Sequence, residues 1–260
     1  MLSSIKVLDL SRVLAGPYCT MLLADLGAQV YKIERPDGGD ETRGWGPPFH
    51  ENQSCYYLSV NRNKKSIAVN FKKPEGVEII KSLASKCDVV VENYLPGHLK
   101  RFGLDYDAIK KVNNDVIYCS LTGYGQKGKL SRRPGYDVVV ASVGGLLGIT
   151  GPREGEPCRV GVAVTDISTG LYAYSSILAA LLNLKMTGQG CHIDANLLST
   201  QTAMLSHIAA NWLNQGMDGS RWGTAHPSIG MHTLKSCCFH SSFFLLMNAC
   251  VVLFSSVPSI

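Results

Sequence analysis

Short apolar runs alternate along the first half of the chain with stretches in which apolar residues recur every three or four positions. Four runs have the length and composition of buried strands: residues 5–10, 28–34, 88–92 and 116–121. Residues 75–86 and 106–112 carry the helical spacing instead. Strand alternating with helix predicts an α/β fold with a Rossmann-like, mainly parallel sheet.

Helix ends are marked by glycine and proline. Gly16 and Pro17 predict the start of a helix after the first strand, with Pro17 in the first helical position, and Gly27 predicts its end. In the second half, a long helix is predicted from about Asp166 to just before Gly188, and another at residues 197–215, with a strand at residues 191–195 between them.

The last 31 residues differ in kind from the rest. Residues 230–260 carry one charge, Lys235, and show neither helical spacing nor turn residues. Their densest apolar run, residues 243–254, is shorter than the roughly 18–20 residues that cross a bilayer. We therefore expect a domain at residues 1–229 and a divergent hydrophobic tail at residues 230–260 of artefactual or alternatively spliced origin, with a short tail anchor as the less favoured alternative and no membrane partner expected.

Charge and cysteine content narrow the classes of partner. The 25 basic and 20 acidic residues are spread thinly, which suits a small polyanionic ligand better than nucleic acid. The nine cysteines are scattered without a C-x-x-C pair, so reduced thiols, an intracellular location and no metal site are expected. From the residues that open this sequence we expect neither a secretory signal nor an Arg-rich leader, and the leader of an organellar enzyme would be missing from it.

Candidate ligand groups lie where predicted strands end. The first strand-to-helix turn, residues 11–17, lacks the G-x-G-x-x-G pattern of dinucleotide sites. Glu34 and Arg35 end the second strand, either as ribose and phosphate ligands or as a solvated strand end. Three further basic residues follow strand-like segments and could line one sheet edge with Arg35 to receive phosphates: Lys72 after residues 66–71, Arg101, and Arg133.

Asp166 precedes the long apolar helix, and two roles are open for it. The helix dipole and unpaired N–H groups would lower its pKa and keep it ionised and nucleophilic. The same place is a standard one for a helix N-cap, the commoner role at this position.

Eleven ordered sequence blocks carry a resemblance that bears on these alternatives. They are KVLDL at 6–10, LAGP at 14–17, LGAQV at 26–30, KIERP at 32–36, GD at 39–40, NRNKKS at 61–66, VENY at 91–94, TGYG at 122–125, RPGYD at 133–137, DISTG at 166–170 and KMTGQG at 185–190. In these blocks the chain resembles the class III CoA-transferases. The resemblance runs over residues 5–229 and implies the large domain of that family, with the small domain missing.

The resemblance implies residue roles and partners. Asp166 would be the nucleophile that is acylated and then carries CoA as a thioester. The positions implied to contact CoA are Val13, Leu14, Ala15, Arg35, Val69, Lys72, Asn93, Tyr94, Arg101, Arg133 and Tyr136. Acyl-CoA and a carboxylic acid would be substrates, succinyl-CoA and a dicarboxylate such as glutarate being expected, with no tightly bound cofactor. It further implies an interlocked homodimer and a mitochondrial location, a cytoplasmic one being the alternative.

Two alternatives to transfer stay open. Racemases of this family, which act on 2-methylacyl-CoA, have His where this chain has Tyr136, and a phenol with a pKa near 10 is a poorer base at neutral pH. Transfer is therefore favoured over racemisation. The other alternative is an inactive, truncated CoA-binding product, because the resemblance ends at Ile229. His192, His207 and His226 are expected to be structural.

Overall fold

The computed structural model describes residues 1–227 of the chain. The predicted tail at residues 230–260 and the boundary before it lie outside this described part. The strands are β1 Lys6–Asp9, β2 Gln29–Glu34, β3 Phe49–His50, β4 Gln53–Ser54, β5 Lys64–Ala68, β6 Val89–Glu92, β7 Ile117–Thr122 and β8 His192–Asn196. The helices are α1 Ala15–Asp25, α2 Cys55–Ser59, α3 Pro74–Ala84, α4 Tyr106–Lys110, α5 Asp137–Val143, α6 Val164–Thr187, α7 Leu197–Met204 and α8 His207–Gln215, and two 3₁₀ turns cover Glu41–Gly44 and Leu99–Phe102.

Six of the strands form one parallel sheet in the order β5-β2-β1-β6-β7-β8, which confirms the predicted α/β fold. The inner strands β6 and β7 are buried along their whole length. Buried strands of this kind read as continuous apolar runs, because both faces of a parallel sheet are covered by helices. β3 and β4 form a separate two-residue hairpin.

Helices cover the sheet on both faces. On one face, α1 and α6 pack on side chains such as Val7, Val89 and Cys119. On the other face, α3, α4 and the 3₁₀ turn at Leu99–Phe102 pack on Leu8 and Tyr118. Because the strands are parallel, their carboxyl ends meet at one edge, where the chain turns from strand into helix.

Two sequence expectations about helices are wrong, and one helix was not predicted. The single helix at residues 197–215 is two helices, α7 and α8, separated at Ser206, whose φ is +47°. A residue with this positive φ and a ψ of -113° cannot continue an α-helix, so the axis changes there. Pro17 is the third residue of α1, not the first, because the helix begins at Ala15. The sequence analysis missed α5, whose run of valines lacks helical spacing.

The helix α6 is long and apolar. Among the described residues, it alone has the length and composition that could cross a membrane. It packs against α1, α5, α7 and strands β7 and β8, as a helix of an α/β domain does. Its carboxyl end is closed by Gly188 in the left-handed conformation, as the sequence predicts.

Candidate active site

The buried carboxylate of Asp9 stabilises the turn that follows β1. Asp9, at the end of β1, is fully buried and accepts hydrogen bonds from the Ser11 amide at 2.9 Å, the Ser11 hydroxyl and the Thr20 hydroxyl at 2.6 Å. Lys64 lies 3.2 Å from the same carboxylate. Burial alone would raise the pKa of Asp9, but Lys64, Lys32 and the hydroxyl donors hold it below its usual value.

A second buried ion pair holds the turn from the side. Lys32 on β2 is 1% exposed, and its Nζ donates to the Ser11 carbonyl at 2.9 Å and lies 3.0 Å from Asp40 Oδ2. The Val13 amide lies 3.3 Å from each Asp40 carboxylate oxygen. Val13 has a φ of +70°, a left-handed conformation that a β-branched residue rarely adopts. The Lys32–Asp40 pair therefore stabilises a strained turn.

The neighbouring strand β6 adds a third support. Asn93 donates to the Arg12 carbonyl at 2.6 Å and accepts from the Arg12 amide at 2.9 Å. The Arg12 guanidinium pairs with Glu41 and stands 4.7 Å over the Tyr94 ring. Its Nε is buried, and no group in residues 1–227 accepts a hydrogen bond from it. Arg12 belongs to the predicted turn at residues 11–17, but the sequence assigns it no role, because its position over Tyr94 depends on the fold.

Asp166 reaches this turn because α6 approaches α1 very closely. A Cβ added at Gly170, one turn into α6, would meet the Ala15 carbonyl oxygen at 2.8 Å. Only glycine allows that approach. Asp166 itself lies in the first turn of α6, whose N-cap is Ala163. The N-cap alternative for Asp166 is therefore wrong.

The free amides of α6 are taken by another carboxylate. Asp137, the first residue of α5, accepts hydrogen bonds from the amides of Thr165 at 2.8 Å and Asp166 at 3.1 Å. No group in residues 1–227 donates a hydrogen bond to the Asp166 carboxylate. A Cβ added at Gly123 would lie 2.7 Å from Gly135, so the segment before α5 lies directly on the end of β7.

The pKa of Asp166 is shifted opposite to the prediction. Burial, and then the negative charge of Asp137, raise it from 3.8 to about 7. The position of Asp166 at a predicted helix start favours a lowered pKa, through the amides of the helix end. Those amides do not lower it, because Asp137 occupies them and adds a like charge beside Asp166.

Three adjoining clefts run along the carboxyl edge of the sheet. A cleft of about 310 Å³ contains Asp166 and, from the predicted contacts, Val13, Leu14, Ala15, Asn93, Tyr94 and Tyr136. The next, of about 470 Å³, contains Tyr94 together with Arg35, Val69 and Lys72. A third, of about 360 Å³, contains Arg101 and Arg132. Arg133 lines none of the three, and its neighbour Arg132 stands at the edge instead.

Glu34 is neither a ribose ligand nor a solvated strand end, so both sequence alternatives for it are wrong. It is 6% exposed and accepts from Arg43 at 2.7 Å to each carboxylate oxygen, from Ser66 at 2.6 Å and from the Asp40 amide at 2.8 Å. Burial raises its pKa, but these donors outweigh it and lower the pKa to about 2. Both Glu34 and Arg35 line the cleft of about 470 Å³, Glu34 as a buried residue of its wall and Arg35 as an exposed one.

Asp166→Asn should make the folded chain more stable at alkaline pH. The folded-state pKa of about 7 lies above the unfolded value, so stability is lost as pH rises from about 4 to 7. The full shift corresponds to about 4 kcal/mol, and because the carboxyl is only partly buried we expect a gain of about 2 kcal/mol at pH 8 and none at pH 4. Urea unfolding at both pH values measures it, with Asp107→Asn as an exposed control. An equal effect at both pH values would contradict the raised pKa.

Comparison with known proteins places these features in context. A sequence model described as CoA-transferase family III matches residues 2–244. Over 228 residues, 88% of this chain, the sequence is 60% identical to the human protein named succinyl-CoA:glutarate CoA-transferase. It is 45% identical over 234 residues to the succinate–glutarate CoA-transferase of Agrobacterium fabrum.

The fold has solved counterparts. A crystal structure of a CAIB/BAIF family protein from Brucella suis superposes with a TM-score of 0.85 at 42% identity, covering 89% of this chain and 62% of that one. The chain spans 52% of the length of the human relative and 58% of that of the Agrobacterium relative.

Proposed function

This chain belongs to CoA-transferase family III, and from that membership we propose that it moves CoA between carboxylic acids with Asp166 as the nucleophile. The proposed donor is succinyl-CoA and the proposed acceptor a dicarboxylate such as glutarate. The names of the human and Agrobacterium relatives support this choice of substrates.

One observation carries the proposal: Asp166 shares a cleft with the turn at Val13, and of the two described carboxylates that line this cleft, Asp166 and Glu41, only Asp166 accepts no hydrogen bond. That cleft adjoins the one with Arg35 and Lys72 through Arg12 and Tyr94, which line both. A ligand with phosphates at one end and a reactive thioester at the other fits this arrangement of charges.

The reaction consists of acyl exchanges in which atoms and charge balance. The Asp166 carboxylate attacks the donor thioester carbonyl, forming a mixed anhydride and releasing CoA thiolate. The thiolate attacks the aspartyl carbonyl, giving an aspartyl-CoA thioester and the free donor acid. The acceptor carboxylate then attacks this thioester, and the released thiolate attacks the acceptor carbonyl, so acyl-CoA leaves and the Asp166 carboxylate is regenerated.

The surroundings of Asp166 favour this chemistry. Burial and the charge of Asp137 destabilise its ionised form, so the carboxylate is a stronger nucleophile than one held by backbone amides. Acylation removes the charge, and the same surroundings then stabilise the anhydride and thioester relative to the free carboxylate. The charge of Asp137 thus raises the energy of the reactant carboxylate and thereby favours the uncharged acylated product of the first step.

Transfer is favoured over racemisation by what stands at the cleft. In the described residues, those that line the cleft around Asp166 include no histidine, and Tyr136 stands there with 64% of its surface exposed. A phenol is a weaker general base at neutral pH than the imidazole of histidine. Abstraction of an α-proton from a 2-methylacyl-CoA therefore lacks a suitable carrier at this position.

A second copy of the chain and a mitochondrial location belong to the same proposal. Exposed apolar side chains occur on α6, at Leu171, Leu182 and Met186, and on α8, at Trp212 and Leu213, and a partner chain would cover such side chains.

The proposal is tested by CoA binding to the 260-residue chain. Lys72 lines the cleft that also contains Arg35, where we place the CoA phosphates. Lys72→Met should therefore weaken CoA binding about tenfold, which is the effect of losing one hydrogen bond to a charged group. Lys73→Met is the matched control, since Lys73 lines none of the three clefts. Titration calorimetry measures both. Equal effects of the two substitutions, or no binding by the parent chain, would contradict the proposed site.

A further inference from the structure

A row of polar side chains crosses three strands on the sheet face opposite α6. Glu92, Ser120 and Asp194 are register partners on β6, β7 and β8, so they project from the same face. His192 lies two residues before Asp194, on that face too. Ser120 Oγ is 2.9 Å from His192 Nε2, and the Ser120 hydroxyl is close enough to the Glu92 carboxyl to lower its pKa. The row therefore links a carboxyl that is 6% exposed to an imidazole at the surface.

The buried end of this row holds a loop of the active-site cleft. Glu92 Oε2 accepts a hydrogen bond from the Tyr94 amide at 2.7 Å. The Tyr94 ring lines both main clefts, lies under the Arg12 guanidinium and stacks on His98 with the ring centroids 5.2 Å apart. The Asn93 side chain, between Glu92 and Tyr94, accepts a hydrogen bond from the Arg12 amide and donates one to the Arg12 carbonyl. A change in the Glu92 hydrogen bond is thus transmitted directly to the cleft.

We propose that Glu92 is a positioning residue for the Asn93–Tyr94 loop and that proton exchange through Ser120 and His192 switches the strength of its hold on CoA. The inference rests on the proposed function, since it takes CoA as the ligand of that loop. An ionised Glu92 accepts charge-assisted hydrogen bonds from the Tyr94 amide and the Ser120 hydroxyl. A protonated Glu92 donates to Ser120, the Ser120 hydroxyl turns to His192 Nε2, and the Tyr94 amide faces a weaker, neutral acceptor.

The groups around Glu92 set the pH at which this proton exchange occurs. Burial raises the pKa of Glu92, the Ser120 hydroxyl and the Tyr94 amide partly offset this, and the charge of Asp194 adds a smaller rise, so that the resulting pKa is about 7. A small cavity of about 40 Å³ beside Glu92 is lined by further ionisable groups from the packed elements: Lys100, Asp105, Tyr106, Tyr118 and His192. Burial lowers the pKa of His192, against the opposing charges of Asp194, Asp107 and Asp105. Glu92 therefore exchanges its proton near neutral pH, where an uncharged His192 can accept from Ser120.

CoA affinity against pH tests the switch. The 260-residue chain carrying Asp166→Asn is used, because that substitution removes the other carboxyl that titrates near 7. The dissociation constant should fall about fivefold between pH 5.5 and 8.5 beyond the change caused by ionisation of the CoA phosphate. Adding Glu92→Gln should abolish this fivefold fall in the dissociation constant. Adding Glu78→Gln instead, which changes an exposed carboxylate of α3, should leave the fall unchanged. Phosphate ionisation is common to all variants and cancels in their ratio. An unchanged pH dependence in Glu92→Gln would overturn the proposal.

A second measurement needs neither CoA nor a stable variant. In the ligand-free parent chain, the Tyr94 amide proton shift should follow a titration with a midpoint near 7, seen by ¹⁵N NMR, because its acceptor changes charge. A Tyr94 amide that does not respond overturns the positioning role. If the amide responds but CoA fails to bind the parent chain at any pH, the proposed function is wrong and Glu92 controls a loop with another ligand.

Discussion

Asp166→Asn is expected to lower CoA transfer by about 10³-fold or more, because it removes the oxygen anion that attacks the thioester while keeping the size of the side chain. The substitution should not harm the fold. The Asp166 carboxyl accepts no hydrogen bond from the described residues. The backbone N–H of residue 166 donates a hydrogen bond to Asp137, and Asn at this position retains that donor. Loss of activity with retained stability would separate a chemical role from a structural one.

The assay measures succinyl-CoA plus glutarate turnover, in the 260-residue chain and in the same chain extended by the carboxyl-terminal part of the human relative. Hydroxylamine, added with succinyl-CoA, should label Asp166 in the parent protein and nothing in Asp166→Asn. Asp107→Asn, an exposed carboxyl on α4, is the control and should keep full activity. Label on another residue, or near-parental activity of the Asp166→Asn variant, would end the assignment of Asp166.

The strands were predictable from sequence because their signal is local. Each inner strand of a doubly covered parallel sheet is apolar on both faces, so the run at residues 88–92 maps onto β6 within one residue. The helix break at Ser206 was not predictable in the same way. Residues 197–215 keep a helix-like composition throughout, and only the backbone conformation of Ser206 reveals two axes.

The candidate site was predictable in position but not in its electrostatics. Asp166 falls at the helix start that the sequence predicts, but its pKa depends on Asp137, 29 residues earlier in the chain. Glu34 shows the same limit, since its buried state depends on Arg43 and Ser66, which approach it only in the folded chain. Sequence patterns locate a charged side chain on an element, whereas its pKa depends on partners from other elements.

The turn at Val13 depends on buried charges whose balance can be measured. Lys32 and Asp40 have side chains 1% and 0% exposed, and Lys32 also donates to the Ser11 carbonyl. Removing one partner of such a pair leaves the other charge buried and uncompensated, which destabilises a protein far more than the pair itself stabilises it. The largest loss of stability from one substitution at the site is therefore expected here.

Lys32→Met should lower the free energy of unfolding by about 3–5 kcal/mol, since Asp40 and the Ser11 carbonyl lose their buried donor while the apolar part of the side chain is kept. Urea unfolding at pH 7 measures the loss. Lys65→Met, on an exposed position of the adjacent strand β5, is the matched control and should change stability by no more than about 0.5 kcal/mol. Adding Asp40→Asn to Lys32→Met should recover part of the loss, because it removes the uncompensated charge and leaves an oxygen to accept from Val13 and Thr42. A double variant less stable than Lys32→Met alone would show that Asp40 supports the turn through its hydrogen bonds and not through its pairing with Lys32.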